Sequence, residues 1–117
     1  MTNSKQKGKR GELQFARLCA QYGYKVRRTA QYCGNTGDAS DCVGLDGVHI
    51  EVKRTERLRL REAMEQATRD SAPTGNIPIV AHRGNNEPWL ITMRAEGWFS
   101  LYRSWDLEHN NTTDQTP

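Results

Sequence analysis

Long apolar runs and a hydrophobic majority are both missing from this sequence. Only 35% of its 117 residues are hydrophobic, while 26% are charged. No stretch approaches the roughly 18 apolar residues that cross a membrane. The start, MTNSKQKGKRG, is basic but lacks the apolar segment of a signal peptide. We therefore expect a single domain located in the cytoplasm, with no membrane partner.

Cysteine is also scarce. Cys19, Cys33 and Cys42 cannot all pair, which favours reduced thiols over a disulfide framework. Neither the cysteines nor the histidines have a ligand-pair spacing such as Cys-x-x-Cys, so zinc is not expected. His49 and His82 are expected to be structural or solvated.

Charge is distributed unevenly along the chain. Residues 1–61 hold 13 Lys and Arg against 6 Asp and Glu, whereas residues 62–117 hold 4 against 8. The excess of positive charge in the first half indicates a polyanionic partner.

Hydrophobic periodicity predicts the order α-β-β-β-α-β-β-α, an α/β fold with a mixed central sheet. A basic tail (1–7) precedes the domain (8–105), and a disordered tail (106–117) follows it. The predicted elements are a helix over about 9–22, a strand within 24–29, a hairpin over 40–54, a helix over 59–70, strands at 77–82 and 89–93, and a last helix carrying the stripe Trp98, Leu101, Tyr102 and Trp105. Residues 31–40 form a Gly- and Asn-rich loop.

The hairpin sequence SDCVGLDGVHIEVKR decides which side chains face one another. Apolar residues alternate along its second strand, so Glu51 and Lys53 share the opposite face. A two-residue turn at Asp46-Gly47 would place Cys42 opposite Glu51. A three-residue loop with Gly47 in the left-handed conformation would instead place Asp41 there.

Two opposed carboxylates repel each other unless a positive charge lies between them. A hard divalent cation with oxygen ligands would remove that repulsion, and Lys53 adds a further charge. The alternative is an ordinary solvated strand face, which is usual for alternating charges.

An Asp followed about ten residues later by Glu-x-Lys is the motif of the PD-(D/E)xK nucleases. The chain resembles the small archaeal-type Holliday junction resolvases of that superfamily, and most closely their phage and prophage relatives. The resemblance runs from KGKRGELQFA through RRTAQYCGNTGDASDCVGLDGVHIEVKR and EAMEQA to PWLITM and WFSLYRSW. Ser40 stands where the motif has proline, which is one departure.

The resemblance implies a restriction-endonuclease-like αβββαβ core and a Mg²⁺-dependent enzyme, with Mn²⁺ as a substitute. The implied catalytic residues are Glu12, Asp41, Glu51, Lys53 and Gln66. The metal would be held by Asp41, Glu51, the carbonyl of Val52 and Glu12. Asp38 is a rival to Asp41, Glu12 could serve only as a helix N-terminal charge, and Gln66 could be an ordinary polar face residue.

The expected substrate is branched DNA, above all the four-way junctions of recombination, cut by a homodimer in a bacterial host cell if the chain is phage-encoded. The alternatives are a flap or nicking nuclease and a DNA-binding module without cleavage. The expected phosphate contacts are Lys5, Lys7, Lys9, Arg10, Arg27, Arg28, Arg54 and Arg57. The aromatic residues expected in the core or the dimer interface are Trp89, Trp98, Phe99, Tyr102 and Trp105.

Overall fold

A computed structural model describes residues 4–29 and 39–110 of the chain. Its elements, in chain order, are α1 (Ser4–Gln21), β1 (Arg27–Arg28), β2 (Cys42–Val43), β3 (Val48–Arg54), α2 (Leu60–Ser71), β4 (Ile77–Arg83), β5 (Leu90–Met93) and α3 (Ala95–Asn110). The predicted order of elements is confirmed. Most of the predicted 31–40 loop, including Cys33 and Asp38, lies outside the described residues.

The five strands form one mixed sheet in the order β1-β2-β3-β4-β5. β3 and β4 are parallel and are joined by α2, whereas the other neighbouring strands are antiparallel. Mixed sheets of this kind have helices on both faces, so the central strands are buried on both sides. The predicted α/β class is therefore confirmed.

The two faces of β3 bury different side chains because successive strand residues point in opposite directions. Ile50 and Val52 belong to the larger core cluster with Phe15 of α1. On the other face, Val80 of β4 packs with Ala63 and Ala67 of α2. The functional part of the hairpin lies on this second face, since Glu51 is the sheet partner of Val80.

Helix α1 begins at Ser4, about one turn before its predicted start. The segment KQKGKR is rich in Lys, Gln and Arg, which have high helix propensity, so it extends the helix instead of forming a loose tail. Gly11 lets the helix approach the sheet closely, because a Cβ there would lie 2.8 Å from Cβ of Arg54. This close approach holds the first turns of α1 against the end of β3.

Helix α3 continues to Asn110 and so includes the first five residues of the segment predicted to be disordered. Side chains support this last turn: Asn110 Nδ2 donates to Asp106 Oδ1 at 2.9 Å, and His109 Nδ1 lies 2.8 Å from the carbonyl oxygen of Trp105. Gly97 is the one buried residue of the helix, all of which the structure describes.

The aromatic residues divide between the core and the surface. Trp89 packs against the main core, with its ring 5.3 Å from that of Phe15. In contrast, four aromatic side chains of α3 are 44–57% exposed: Trp98, Phe99, Tyr102 and Trp105. Trp98, Tyr102 and Trp105 stack along one side of the helix, and the Phe99 ring packs edge-on against Trp98. Within the described residues, no helix is both long and apolar enough to cross a bilayer.

Candidate active site

The β2–β3 hairpin places Asp41 opposite Glu51. Cys42 pairs with Ile50, and the Asp41 N–H donates to the Ile50 carbonyl at 2.8 Å. One residue further along this antiparallel register, Asp41 faces Glu51. Gly47 has φ +84°, in the left-handed region. The three-residue loop is therefore the one adopted, and the two-residue alternative is wrong.

The carboxylate of Asp41 is held at the end of β3. Its Oδ2 accepts a hydrogen bond of 2.8 Å from the N–H of Val52. Burial first, and then the negative charge of Glu51, raise the pKa of Asp41 to about 7 against the opposing effects of the Val52 N–H and Lys53. The site thus places two acids close enough to repel, and it favours a proton or a cation between them.

Glu51 is buried, with only 2% of its surface exposed. Its Oε1 lies 3.2 Å from Nε2 of His49, which is likewise buried and occupies the same strand face. An ionised carboxylate only accepts hydrogen bonds, so the imidazole N–H donates to it. This burial contradicts the solvated strand face, because a charge leaves water only when it is paired.

Sequence reasoning missed the contact between His49 and Glu51. The signal was their i, i+2 spacing on one strand, which places both side chains on the same face. His49 was expected to be structural or solvated, and the structure supports the structural role.

Glu12 lies on α1 and is paired with Arg28. Arg28 Nε donates to Glu12 Oε1 at 2.8 Å, and the two side chains are only 15% and 16% exposed. The charge of Glu12 also raises the pKa of Asp41, although less than burial and Glu51 do. Glu12 therefore lies near the acidic pair, and the side chain of Arg28 is largely buried in its ion pair with Glu12.

The acidic pair offers oxygen ligands, but it is not a complete metal cage. Among the described residues, no three His, Cys, Asp or Glu side chains are grouped to hold an ion. Mg²⁺ does not need such a group, because it keeps several waters and binds through one or two carboxylates plus substrate phosphate. Asp41 and Glu51, with the carbonyl of Val52, fit that requirement chemically, and the pKa of Asp41 is raised first by burial and then by the nearby charge of Glu51, which a cation would offset.

Lys53 and Gln66 meet at the end of β3. Both line a surface hollow of about 270 Å³ between the loop that follows β3 and helix α2. Lys53 is the sheet neighbour of His82 and lies two residues beyond Glu51, on the same face of β3. The structure thus brings the motif lysine and the helical glutamine together.

The predicted phosphate contacts differ in their surroundings. Lys9, Arg10, Arg27 and Arg57 are exposed. Arg54 is partly buried, and its Nε donates to Gln14 Oε1 at 3.1 Å. The side chains of Lys5 and Lys7 lie outside the described part of the chain, although both residues are in α1.

The family model described as "Phage putative PDDEXK endonuclease" matches residues 3–115. The chain belongs to this family. It is a nuclease of the PD-(D/E)xK type, and enzymes of this type use divalent metal ions. No curated protein matched the sequence.

A solved structure supports the fold of this endonuclease. The fold of this chain is similar to that of Hjc of Archaeoglobus fulgidus, a Holliday junction resolvase from an archaeal hyperthermophile, with a TM-score of 0.55. The match has 22% sequence identity and covers 74% of this chain and 72% of the archaeal one. The predicted restriction-endonuclease-like architecture is confirmed by this match.

Proposed function

We propose that this endonuclease uses Mg²⁺ to hydrolyse phosphodiester bonds in branched DNA, with four-way junctions as the main substrate. The observation that carries the proposal is the pair Asp41 and Glu51, with Lys53 on the same strand face. The similarity to a protein described as a junction resolvase favours junctions over flaps or nicked duplexes. A DNA-binding module without cleavage is disfavoured, because acids facing a phosphate would only weaken binding.

Each residue has a separate role in this proposal. Asp41 and Glu51, with the Val52 carbonyl, would hold the ion, which supplies Lewis acidity and a more acidic bound water. Lys53 orients the attacking water or neutralises charge on the phosphate oxygens. Glu12 lies near enough to act through water, and Gln66 lies beside Lys53, where its amide can hydrogen-bond to water or phosphate.

Basic residues around the site would hold the DNA backbone. Lys9, Arg10, Arg27 and Arg57 are exposed, so we assign them to phosphate contacts. Arg54 and Arg28 contact Gln14 and Glu12, and we expect them to contribute less unless these contacts exchange on binding. Lys5 and Lys7 remain predicted contacts in the first turns of α1.

The active species in this proposal is a homodimer in which α3 packs against the same helix of a second copy. Resolving a junction requires two cuts related by two-fold symmetry, which an isologous dimer supplies. Four aromatic side chains of α3, each about half exposed, offer roughly 300–500 Å² for burial. That is a large share of the ~800 Å² per partner in a standard interface.

Cleavage assays on a four-way junction, a flap and a linear duplex, with Mg²⁺ or EDTA, test the activity. We expect Mg²⁺-dependent paired cuts in the junction, with action in the bacterial cytoplasm during recombination. Asp41→Asn and Glu51→Gln should abolish cleavage but retain binding. Asp46→Asn is the matched control, because Asp46 is an exposed acid in the hairpin turn. Near wild-type cutting by Asp41→Asn would refute the site, and preferential flap cutting would favour the alternative.

Sedimentation at micromolar concentration tests the dimer, which should have twice the 13.3 kDa mass of the chain. Trp105→Glu should shift the protein to monomers because it places a charge in the apolar contact. Ser100→Glu is the control, since Ser100 is exposed on the opposite side of α3. A monomeric wild-type protein that still makes paired cuts would refute this assembly.

A further inference from the structure

The hollow beside Lys53 brings Arg57 and Arg59 next to the motif lysine, and Arg59 has no role in the assignments made above. It lies between the loop after β3 and the first turns of α2 and has a volume of about 270 Å³. The polar and charged residues that line it are Lys53, Thr55, Arg57, Arg59, Glu62 and Gln66. Three cations and a single acid therefore line the hollow, and this excess of positive charge favours an anion.

Glu62, the one acid that lines the hollow, is held only weakly by Arg59. Arg59 Nη1 lies 3.7 Å from Glu62 Oε1, and the two side chains are 83% and 64% exposed. Exposed pairs of this kind contribute little free energy, so Arg59 can exchange Glu62 for a stronger anionic partner at small cost. A phosphate is such a partner, because its oxygens match the planar donor fork of arginine.

Position along the strand indicates which phosphate fits. Lys53 belongs to the catalytic motif, and Thr55 follows two residues later, about 7 Å further along the chain. This advance is similar to the spacing of successive phosphates on one nucleic-acid strand. A phosphate in the hollow would therefore be a neighbour of the phosphate at the acidic pair.

We infer that the hollow binds the backbone phosphate adjacent to the scissile one, on the strand that is cut. Arg57 and Arg59 supply the charge, and Thr55 and Gln66 supply neutral donors. This subsite rests on the proposed function, and it sets the position of the cut strand relative to the carboxylates.

Removing one positive charge at either end of α2, by substituting Arg59 or Arg69, tests the protein side of the subsite. Binding of a fluorescent junction is measured without metal over a range of salt concentrations. Arg59→Gln should weaken binding about tenfold and reduce the salt slope by about one. Arg69→Gln removes the same charge from the last turn of the same helix and should leave both values unchanged. Glu62→Gln should tighten binding, because it frees Arg59.

A neutral methylphosphonate tests which phosphate is bound. The cut position is first mapped with the wild-type protein, and the substitution is then placed on either side of it. At the correct phosphate the wild-type protein should lose about tenfold in affinity, while Arg59→Gln loses almost nothing further. At the other flanking phosphate, the fold losses in affinity caused by the methylphosphonate and by Arg59→Gln should multiply, because the two changes are then independent.

The outcomes separate this inference from the proposed function. If Asp41→Asn abolishes cleavage but the methylphosphonate and Arg59→Gln losses multiply at every position, the function stands and the subsite is refuted. Equal weakening by Arg59→Gln and Arg69→Gln would also refute it. If the wild-type protein cuts nothing, the proposed function fails, and the Arg59, Arg69 and Glu62 binding series alone decides whether the hollow takes a phosphate.

Discussion

Replacing Asp41 with asparagine should make the metal-free protein more stable near neutral pH. Burial and the charge of Glu51 raise the pKa of Asp41 from 3.8 to about 7 in the folded protein. In the unfolded chain the group titrates near its ordinary value of about 3.9. Between these values the unfolded chain has lost a proton that the folded protein keeps, so stability falls as the pH rises from about 4 to about 7 and is level above that.

The size of the effect follows from the shift. About three pKa units at 1.36 kcal/mol each give an upper limit of about 4 kcal/mol for the destabilisation by ionised Asp41. Asparagine removes the charge, and its side-chain oxygen can still accept the 2.8 Å hydrogen bond from the Val52 N–H. We therefore expect a gain of about 1–4 kcal/mol above pH 7 that shrinks towards zero near pH 4.

Urea unfolding in EDTA at several pH values measures this gain, with Asp46→Asn as the control for loss of an exposed acid. Mg²⁺ should then stabilise the wild-type protein more than Asp41→Asn, because the ion binds the folded carboxylate pair. An Asp41→Asn protein that is less stable than wild type at about pH 8, or a difference that does not change with pH, would refute the reasoning.

Further substitutions test the packing of helix α1 and of the site. Gly8→Ala should stabilise the protein by about 1 kcal/mol through helix propensity, since nothing lies within 4 Å of the added Cβ. Gly11→Ala should destabilise the protein, because its Cβ would lie 2.8 Å from Cβ of Arg54. Urea unfolding of both variants measures whether the unfolding free energy rises for Gly8→Ala and falls for Gly11→Ala. Equal changes in the two variants would contradict the close approach of α1 to β3. His49→Leu should lower the unfolding free energy by about 1–3 kcal/mol by leaving buried Glu51 unpaired. Glu51→Leu added to it should restore much of this loss, and a double-mutant cycle with no coupling would show that the contact contributes nothing.

The acidic pair was predictable from sequence because its geometry is local. Asp41 and Glu51 lie ten residues apart on one hairpin, and a single loop sets their register. Apolar alternation identifies the faces of β3, and Gly47 supplies the left-handed residue that the three-residue loop needs. Short-range rules of this kind need no knowledge of the remaining chain.

Other features were decided only by the tertiary structure, because they depend on segments far apart in sequence. The burial of Glu51 requires β4 beside it and α2 packed on that face of the sheet, and local periodicity predicts neither of these contacts. The pairing of Glu12 with Arg28, and the hollow that brings Arg59 to Lys53, likewise depend on how the helices lie against the sheet. The exposed aromatic side of α3 has the same origin: a helical stripe encodes an apolar face, but only packing decides whether the domain covers it.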